Sequence, residues 1–179
     1  MLDDERIVEL RALGARIGEG VYFGPTVYIE KDFAQLLSIG DGAVLSQGTT
    51  ILLHDSSLNN VIGAAMKFGE VNIGERAYIG ANSTILCGVT IGPRALVGAC
   101  TLVNSDIPAD AVAYGQPGRV MSTVAEAVDR QNTLRAQPDK RHFFVDTTPW
   151  RERTESEYAE FNASLSRGID QFLEGIDSE

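Results

Sequence analysis

From Ile73 to Tyr114 a six-residue phrase repeats in register, and no other feature of the chain restricts its folding so severely. The phrases read IGERAY, IGANST, ILCGVT, IGPRAL, VGACTL, VNSDIP and ADAVAY. Aliphatic residues open the first six, at Ile73, Ile79, Ile85, Ile91, Val97 and Val103; Ala109 opens the seventh and weakest. Gly follows four of the openers, and Ala77, Ser83, Val89, Ala95 and Thr101 stand four places on. Such a period matches neither the 3.6-residue turn of a helix nor the two-residue alternation of a lone strand. It matches a solenoid, in which each phrase is a short extended segment. A residue tolerant of unusual backbone angles turns the chain at its end, which accounts for the glycines. Three phrases close one triangular coil, and coils stack by parallel hydrogen bonding at roughly 4.8 Å per layer. The opener points inward and the small residue fills the space beside it. Periodicity fixes a coil and leaves its hand open.

The phrase also begins at Ile17, Phe23 and Ile29, returns at Ile39 and Leu45, and starts again at Ile51. The step from Ile29 to Ile39 is ten residues, which predicts a corner bulge near Gln35 to Ser38. From Ile51 to Ile73 it is twenty-two, read as three phrases plus four, so Ser56 to Glu70 leaves the period. Insertions in repeat proteins fall in loops on one face, often the binding face, so chemistry is expected there. An all-β solenoid with helical additions follows: a cap segment at 1–16, the coil at 17–120 with its loop at 56–70, and a helical extension at 121–179. Ile7, Val8, Leu10 and Leu13 space a short helix over Asp4 to Leu13, suited to covering the open end of the coil. A second helix is expected over Ser122 to Ala136, then irregular chain between Pro138 and Pro149. Thr154 and Glu157 form a capping box ahead of Tyr158, Phe161, Leu165, Ile169, Phe172, Leu173 and Ile176. That apolar stripe calls for a partner surface, on this coil or on a neighbouring subunit's.

The 179 residues suit one domain with appended structure. Fifteen basic against twenty-five acidic side chains give a net charge of −10, which argues against nucleic acid or an anionic membrane as the main partner. Val71 to Gly118 is nearly neutral, so an anionic ligand could still sit on the coil. With no run of eighteen apolar residues and no basic-then-apolar leader, a cytoplasmic protein is expected. Cys87 and Cys100 stand thirteen apart and fall on different faces, so no bridge is expected.

His54 sits in ILLHDSS, where the regular coil gives way to the loop. An imidazole can take a proton near neutral pH, and a carboxylate could orient it. Asp55 follows at once, but neighbours on an extended strand point opposite ways, so it need not be that carboxylate. Ala81 and Ala99 hold the same place eighteen residues apart and should stack, with Pro117 next in line. A column of small residues leaves a shallow groove fit for a long, thin, amide-bearing ligand such as the pantetheine arm of coenzyme A. Small residues suit tight corners equally well.

These phrases resemble the hexapeptide-repeat acyltransferases, whose fold is the left-handed parallel β-helix. The segment from His54 to Gly74 is similar to the surface-polysaccharide and sugar O-acetyltransferase branch, in which a histidine-aspartate pair, a loop and a lysine precede the regular repeat. The resemblance implies that His54 is the general base with Asp55 beside it, and that Asn60 and Lys67 meet the acceptor. It implies a coenzyme site at Gly80, Ala81, Ala99, Asn104, Ser105 and Arg119, with Arg119 on a phosphate. Ser105 departs from the usual lysine, and Ser122 from a second basic residue seen in some members. Arg94 or the C-terminal segment of another subunit could supply the missing contact.

The implied protein is a homotrimer with sites between subunits, transferring acetyl directly from acetyl-CoA to a hydroxyl of a sugar or polysaccharide precursor. A backbone N–H near Gly80 or Ala81 would receive the oxyanion, and no metal is needed. Two alternatives are acetylation of an amino group on a nucleotide-linked amino sugar, and a non-catalytic scaffold that binds carbohydrate. A carbonic anhydrase on the same coil needs three histidines per zinc, and the coil carries one. His142, in KRHFFVD beyond the coil, reads as structural.

Overall fold

The computed structural model describes residues 4–136, 142, 144–145 and 154–177. It forms two compact units, one ending at Ala127 and the other beginning at Val128. The first is a three-faced coil of short parallel strands. One face stacks Arg16–Ile17, Leu37–Ile39, Val71–Ile73 and Thr90–Ile91. The second stacks Tyr22–Phe23, Val44–Leu45, Tyr78–Ile79, Leu96–Val97 and Ala111–Tyr114. The third stacks Tyr28–Ile29, Thr50–Ile51, Thr84–Ile85 and Leu102–Val103. Up to Val103 opener lies over opener, as in Ile17–Ile39–Ile73–Ile91 and Ile29–Ile51–Ile85–Val103. These aliphatic columns are the core. Ala77, Ser83, Val89, Ala95 and Thr101 are buried beside them as the phrase predicts. The two hydroxyls among them are satisfied: Ser83 Oγ donates to Gly98 O at 2.9 Å and accepts the Thr101 N–H at 3.2 Å, and Thr101 Oγ1 donates to Gly98 O at 2.7 Å.

The glycines after the openers serve a purpose other than turning. A Cβ at Gly74 or Gly80 would lie 2.3 or 2.4 Å from the Pro93 or Ala99 nitrogen of the next coil, so only hydrogen permits the stacking. The left-handed corner comes two residues later, where Arg76, Asn82, Arg94 and Cys100 have φ of 55 to 57°. Asn adopts that region readily; for the other L residues it costs about 1–2 kcal/mol, which the stacked coil outweighs.

Three irregularities differ from the expected register, and all fall at the corner between the third face and the first. The insertion after Ile29 is a 3-10 turn at Lys31–Leu36, ahead of the expected Gln35 to Ser38, because Leu37 is already in the strand and wholly buried. Ile73 stacks on the first face, one corner beyond Ile51, so the excursion between them holds one phrase plus sixteen residues. After Val103 the corner is cut short: Ile107 bridges to Ile91 and Ala113 pairs with Val97, so Ala109 opens no phrase. The Thr90 N–H is taken by the Asp106 carboxylate at 2.7 Å, where the corresponding Asn72 N–H takes the Val89 carbonyl.

The helix at the start runs Glu5–Ala12, with the Asp4 side chain accepting the Arg6 N–H as its cap. Ile7 and Leu10 are buried against the coil, and Arg6 donates to Phe23 O and Gly24 O from a place over the Phe23 ring. At the far end Arg119–Thr123 folds back antiparallel on Ala111–Tyr114, where helix was expected from Ser122. A Thr123–Glu126 box then starts a helix at Val124–Ala136. In the second unit the Thr154–Glu157 box forms as expected, with Thr154 N–H donating to Glu157 Oε2 at 2.6 Å, ahead of a helix at Glu155–Asp177. Most of the stretch from Pro138 to Pro149 lies outside the described residues, as do the side chains of Phe172 and Ile176; His142 is exposed. No helix among the described residues is long and apolar enough to cross a membrane.

Candidate active site

Just past Ile51 the chain leaves the coil as a stalk, His54–Asp55 pairing antiparallel with Lys67–Phe68. The Asp55 carboxylate accepts the Ser57 N–H at 2.9 Å and starts a helix at Ser57–Ile62, which Gly63 closes with a φ of 69°. No residue of that helix is buried, and Leu58, Val61 and Ile62 are 61 to 77% exposed. The loop read from the sequence is thus a small ordered arm beside the histidine.

His54 is held from the coil below. Glu30 directly follows Ile29, and its Oε2 accepts the N–H groups of Leu53 at 2.6 Å and His54 at 3.1 Å while lying 2.9 Å from His54 Nδ1. The two side chains are 12% and 24% exposed, well shielded for an acid and an imidazole. Phe33, from the 3-10 turn, tilts against the imidazole at 4.9 Å between ring centres. Phe68 stacks on it at 5.9 Å and meets Phe33 edge-on at 5.0 Å. An open depression of about 390 Å³, lined by residues 27–33 and His54, lies alongside. The two insertions at this corner therefore clasp one imidazole between them.

Asp55 is elsewhere. It is fully exposed, and hydrogen bonding by Ser57 holds its carboxyl below the ordinary carboxylate range, with the Lys67 charge across the ladder adding to this. The ring's carboxylate is Glu30, which the sequence reading passed over. A signal for it existed: with Ile73 assigned to the first face, Glu30 falls at the same corner one coil beneath His54. Lys67 and Asn60 are exposed on the arm.

At the corner between the second and third faces Pro25, Gln47, Ala81 and Ala99 stack in one column. Gly48 N–H donates to Pro25 O, Asn82 N–H to Gln47 O and Cys100 N–H to Ala81 O at 2.8 to 3.1 Å. The shortened register ends the column at Gly115, whose carbonyl accepts the Leu102 N–H, and not at Pro117. Gly80 is buried and its N–H is committed to Val97 O, so that N–H is not open to a ligand; the Ala81 N–H has no acceptor among the described residues. Arg119 is exposed on the reversed strand, which Gly118 N–H ties to Leu102 O at the top of this corner. Asn104 and Ser105 are exposed at the next corner round. The Arg94 guanidinium is already engaged by Asp110 at 2.7 Å. Cys87 is buried and Cys100 exposed, both free thiols. Within one chain, then, His54 and the alanine column occupy different corners.

A three-faced parallel coil built from six-residue phrases is the architecture of the hexapeptide transferases, and comparison with known proteins agrees. The bacterial transferase hexapeptide (six repeats) profile matches residues 70–105. The chain belongs to that family, and its coil is the left-handed parallel β-helix with helical additions. The Bacillus subtilis (strain 168) protein YvoF is 36% identical over 118 residues, covering 66% of each chain. The galactoside O-acetyltransferase of Escherichia coli (strain K12) is 30% identical over 132 residues, covering 73% of this chain and 59% of that one. A dTDP-3-amino-3,6-dideoxy-alpha-D-galactopyranose 3-N-acetyltransferase of Aneurinibacillus thermoaerophilus is 39% identical over 83 residues, covering 44% and 43%. The chain thus spans about two fifths to two thirds of these relatives. Among solved structures, a hexapeptide-repeat acetyltransferase from Vibrio cholerae O1 biovar eltor in complex with acetyl coenzyme A superposes with a TM-score of 0.52 at 25% identity, over 69% of this chain and 79% of that one. No group of three or more His, Cys, Asp or Glu side chains among the described residues could hold a metal ion.

Proposed function

We propose that the protein is an acetyl-CoA-dependent O-acetyltransferase acting on a hydroxyl of a sugar or polysaccharide precursor in the cytoplasm, with His54 as general base. The observation that carries this is the shielded imidazole at the interrupted corner, lining an open depression in a hexapeptide-repeat coil. The likeness to a galactoside O-acetyltransferase supports a sugar hydroxyl as acceptor, and the likeness to an acetyl-CoA complex supports the donor.

His54 takes the acceptor proton as the oxygen attacks the thioester carbonyl, and no acyl-enzyme is required. The Ala81 N–H, left without an acceptor in the coil, receives the developing oxyanion in place of Gly80. Ala81 and Ala99 leave the corner bare of long side chains for the pantetheine arm, and the Arg119 charge meets a phosphate; Asn104 and Ser105 extend the contact. Asn60 and Lys67 on the arm meet the acceptor. Since base and column stand at different corners, the site closes between copies of the chain, which supports the homotrimer.

Thiol release from acetyl-CoA, measured over a panel of sugars, nucleotide-linked amino sugars and small alcohols, tests the reading. A sugar hydroxyl should be the best acceptor, and His54→Ala should lower kcat by roughly 10²- to 10⁴-fold. Activity confined to the amino sugars moves the assignment to N-acetylation, and a His54→Ala variant that matches the parent removes the base.

A further inference from the structure

Glu30 carries a reactive group to which the reaction scheme above gives no task. One of its oxygens faces three nitrogens of the next coil, the amides of Leu53 and His54 and the ring nitrogen Nδ1. Three donors crowding one shielded oxygen suit an anion, and an ionised carboxylate only accepts. The contact at Nδ1 therefore has one sense, with the ring donating. In the neutral imidazole the proton then sits on Nδ1 and the lone pair on Nε2.

The same oxygen grips the backbone on which the ring is mounted, so seat and tautomer are set together. Other charged groups nearby are already committed or lie farther off. Asp55 is turned to Ser57, Lys67 sits opposite Asp55, Lys31 pairs with Glu9, and Asp32 lines the depression.

We infer that Glu30 is a positioning residue that holds His54 in the Nδ1–H tautomer, leaves Nε2 as the base, and stabilises the imidazolium formed on proton transfer. The kinetic half of this rests on the acyltransferase reading; the tautomer half stands without it. Only two histidines are present, so long-range proton–nitrogen correlation spectra of the ¹⁵N-labelled protein are simple, and His142→Asn assigns them. At a pH that keeps both rings neutral, His54 should show a protonated Nδ1 and a bare Nε2. The opposite tautomer overturns the inference.

Glu30→Gln can present a carbonyl oxygen to the same three donors but carries no charge. It should keep the tautomer and lower kcat about 10- to 100-fold with the KM for acetyl-CoA changed less than about twofold. An unchanged kcat overturns the charge role. Glu30→Ala should release the proton to Nε2; if that variant fails to fold, the parent spectrum and the Glu30→Gln kinetics still decide. A fully active His54→Ala removes the proposed base and leaves the tautomer result standing. An inactive His54→Ala with an Nε2–H parent removes the role of Glu30 alone.

Discussion

From Ile73 to Val103 the chain devotes its whole period to stacking, whereas from Glu30 to Phe68 it leaves the period twice and places its reactive groups where it does so. In the regular stretch the openers are buried to within 3% exposure, and Gly74, Gly80 and Gly92 let neighbouring coils touch backbone to backbone. Side chains there have little freedom to become chemical. In the interrupted stretch a glutamate, a histidine and two phenylalanines from different coils meet over a depression. Regularity supplies the rigidity against which an exception can be held in place.

The contrast can be broken most forcefully at Gly80. Gly80→Ala puts a methyl 2.4 Å from the Ala99 nitrogen and should destabilise by about 3 kcal/mol, the upper end for overpacking, read as a fall in the urea midpoint. If the variant is as stable as the parent, close contact between coils is not what selects glycine. The arm should behave the opposite way. Replacing residues 57–66 by a short Gly-Ser link, with the stalk kept, removes no buried side chain and should move the melting temperature by less than about 4 °C. Turnover should nonetheless fall about 10²-fold under the proposed function, in which the arm meets the acceptor. A large loss of stability would show that the arm belongs to the fold.

Two finer changes sharpen the picture. Thr26 is an exposed β-branched residue at a φ of 59°, so Thr26→Gly should stabilise by about 1 kcal/mol in thermal unfolding, against which the added freedom of the unfolded chain works. The smallest effect concerns Asp4, whose carboxyl is held below its ordinary value by the hydrogen bond from Arg6. A lowered native pKa means the contribution is present above the ordinary 3.8 and fades as pH falls through the native value. Asp4→Asn, which keeps a capping side chain, should therefore cost less than about 1 kcal/mol at neutral pH, and the difference from the parent should vanish in acid.

The coil was open to reading because each opener, from Ile17 to Val103, reports its own burial through a fixed period. His54 was visible too, as a lone histidine at the place where that period fails. What escaped was the phase across the failure. Counting twenty-two residues as three phrases and a remainder put Ile73 on the third face, which hid the corner shared by Glu30 and His54. A sequence records how many residues an excursion contains but not where it re-enters, because backbone hydrogen bonding between coils decides that. Gly80 shows a related limit: a glycine reads as a flexible, accessible turn, and only the neighbouring coil reveals that this one is enclosed with its N–H committed to Val97 O.

Two vertices of the prism always take six residues to cross; the remaining one takes ten, twenty-two, six and four on successive levels. Length can therefore be gained or lost at that vertex without altering the pitch above or below it. A few residues added there would lengthen the excursion and leave the rest of the tower as it is.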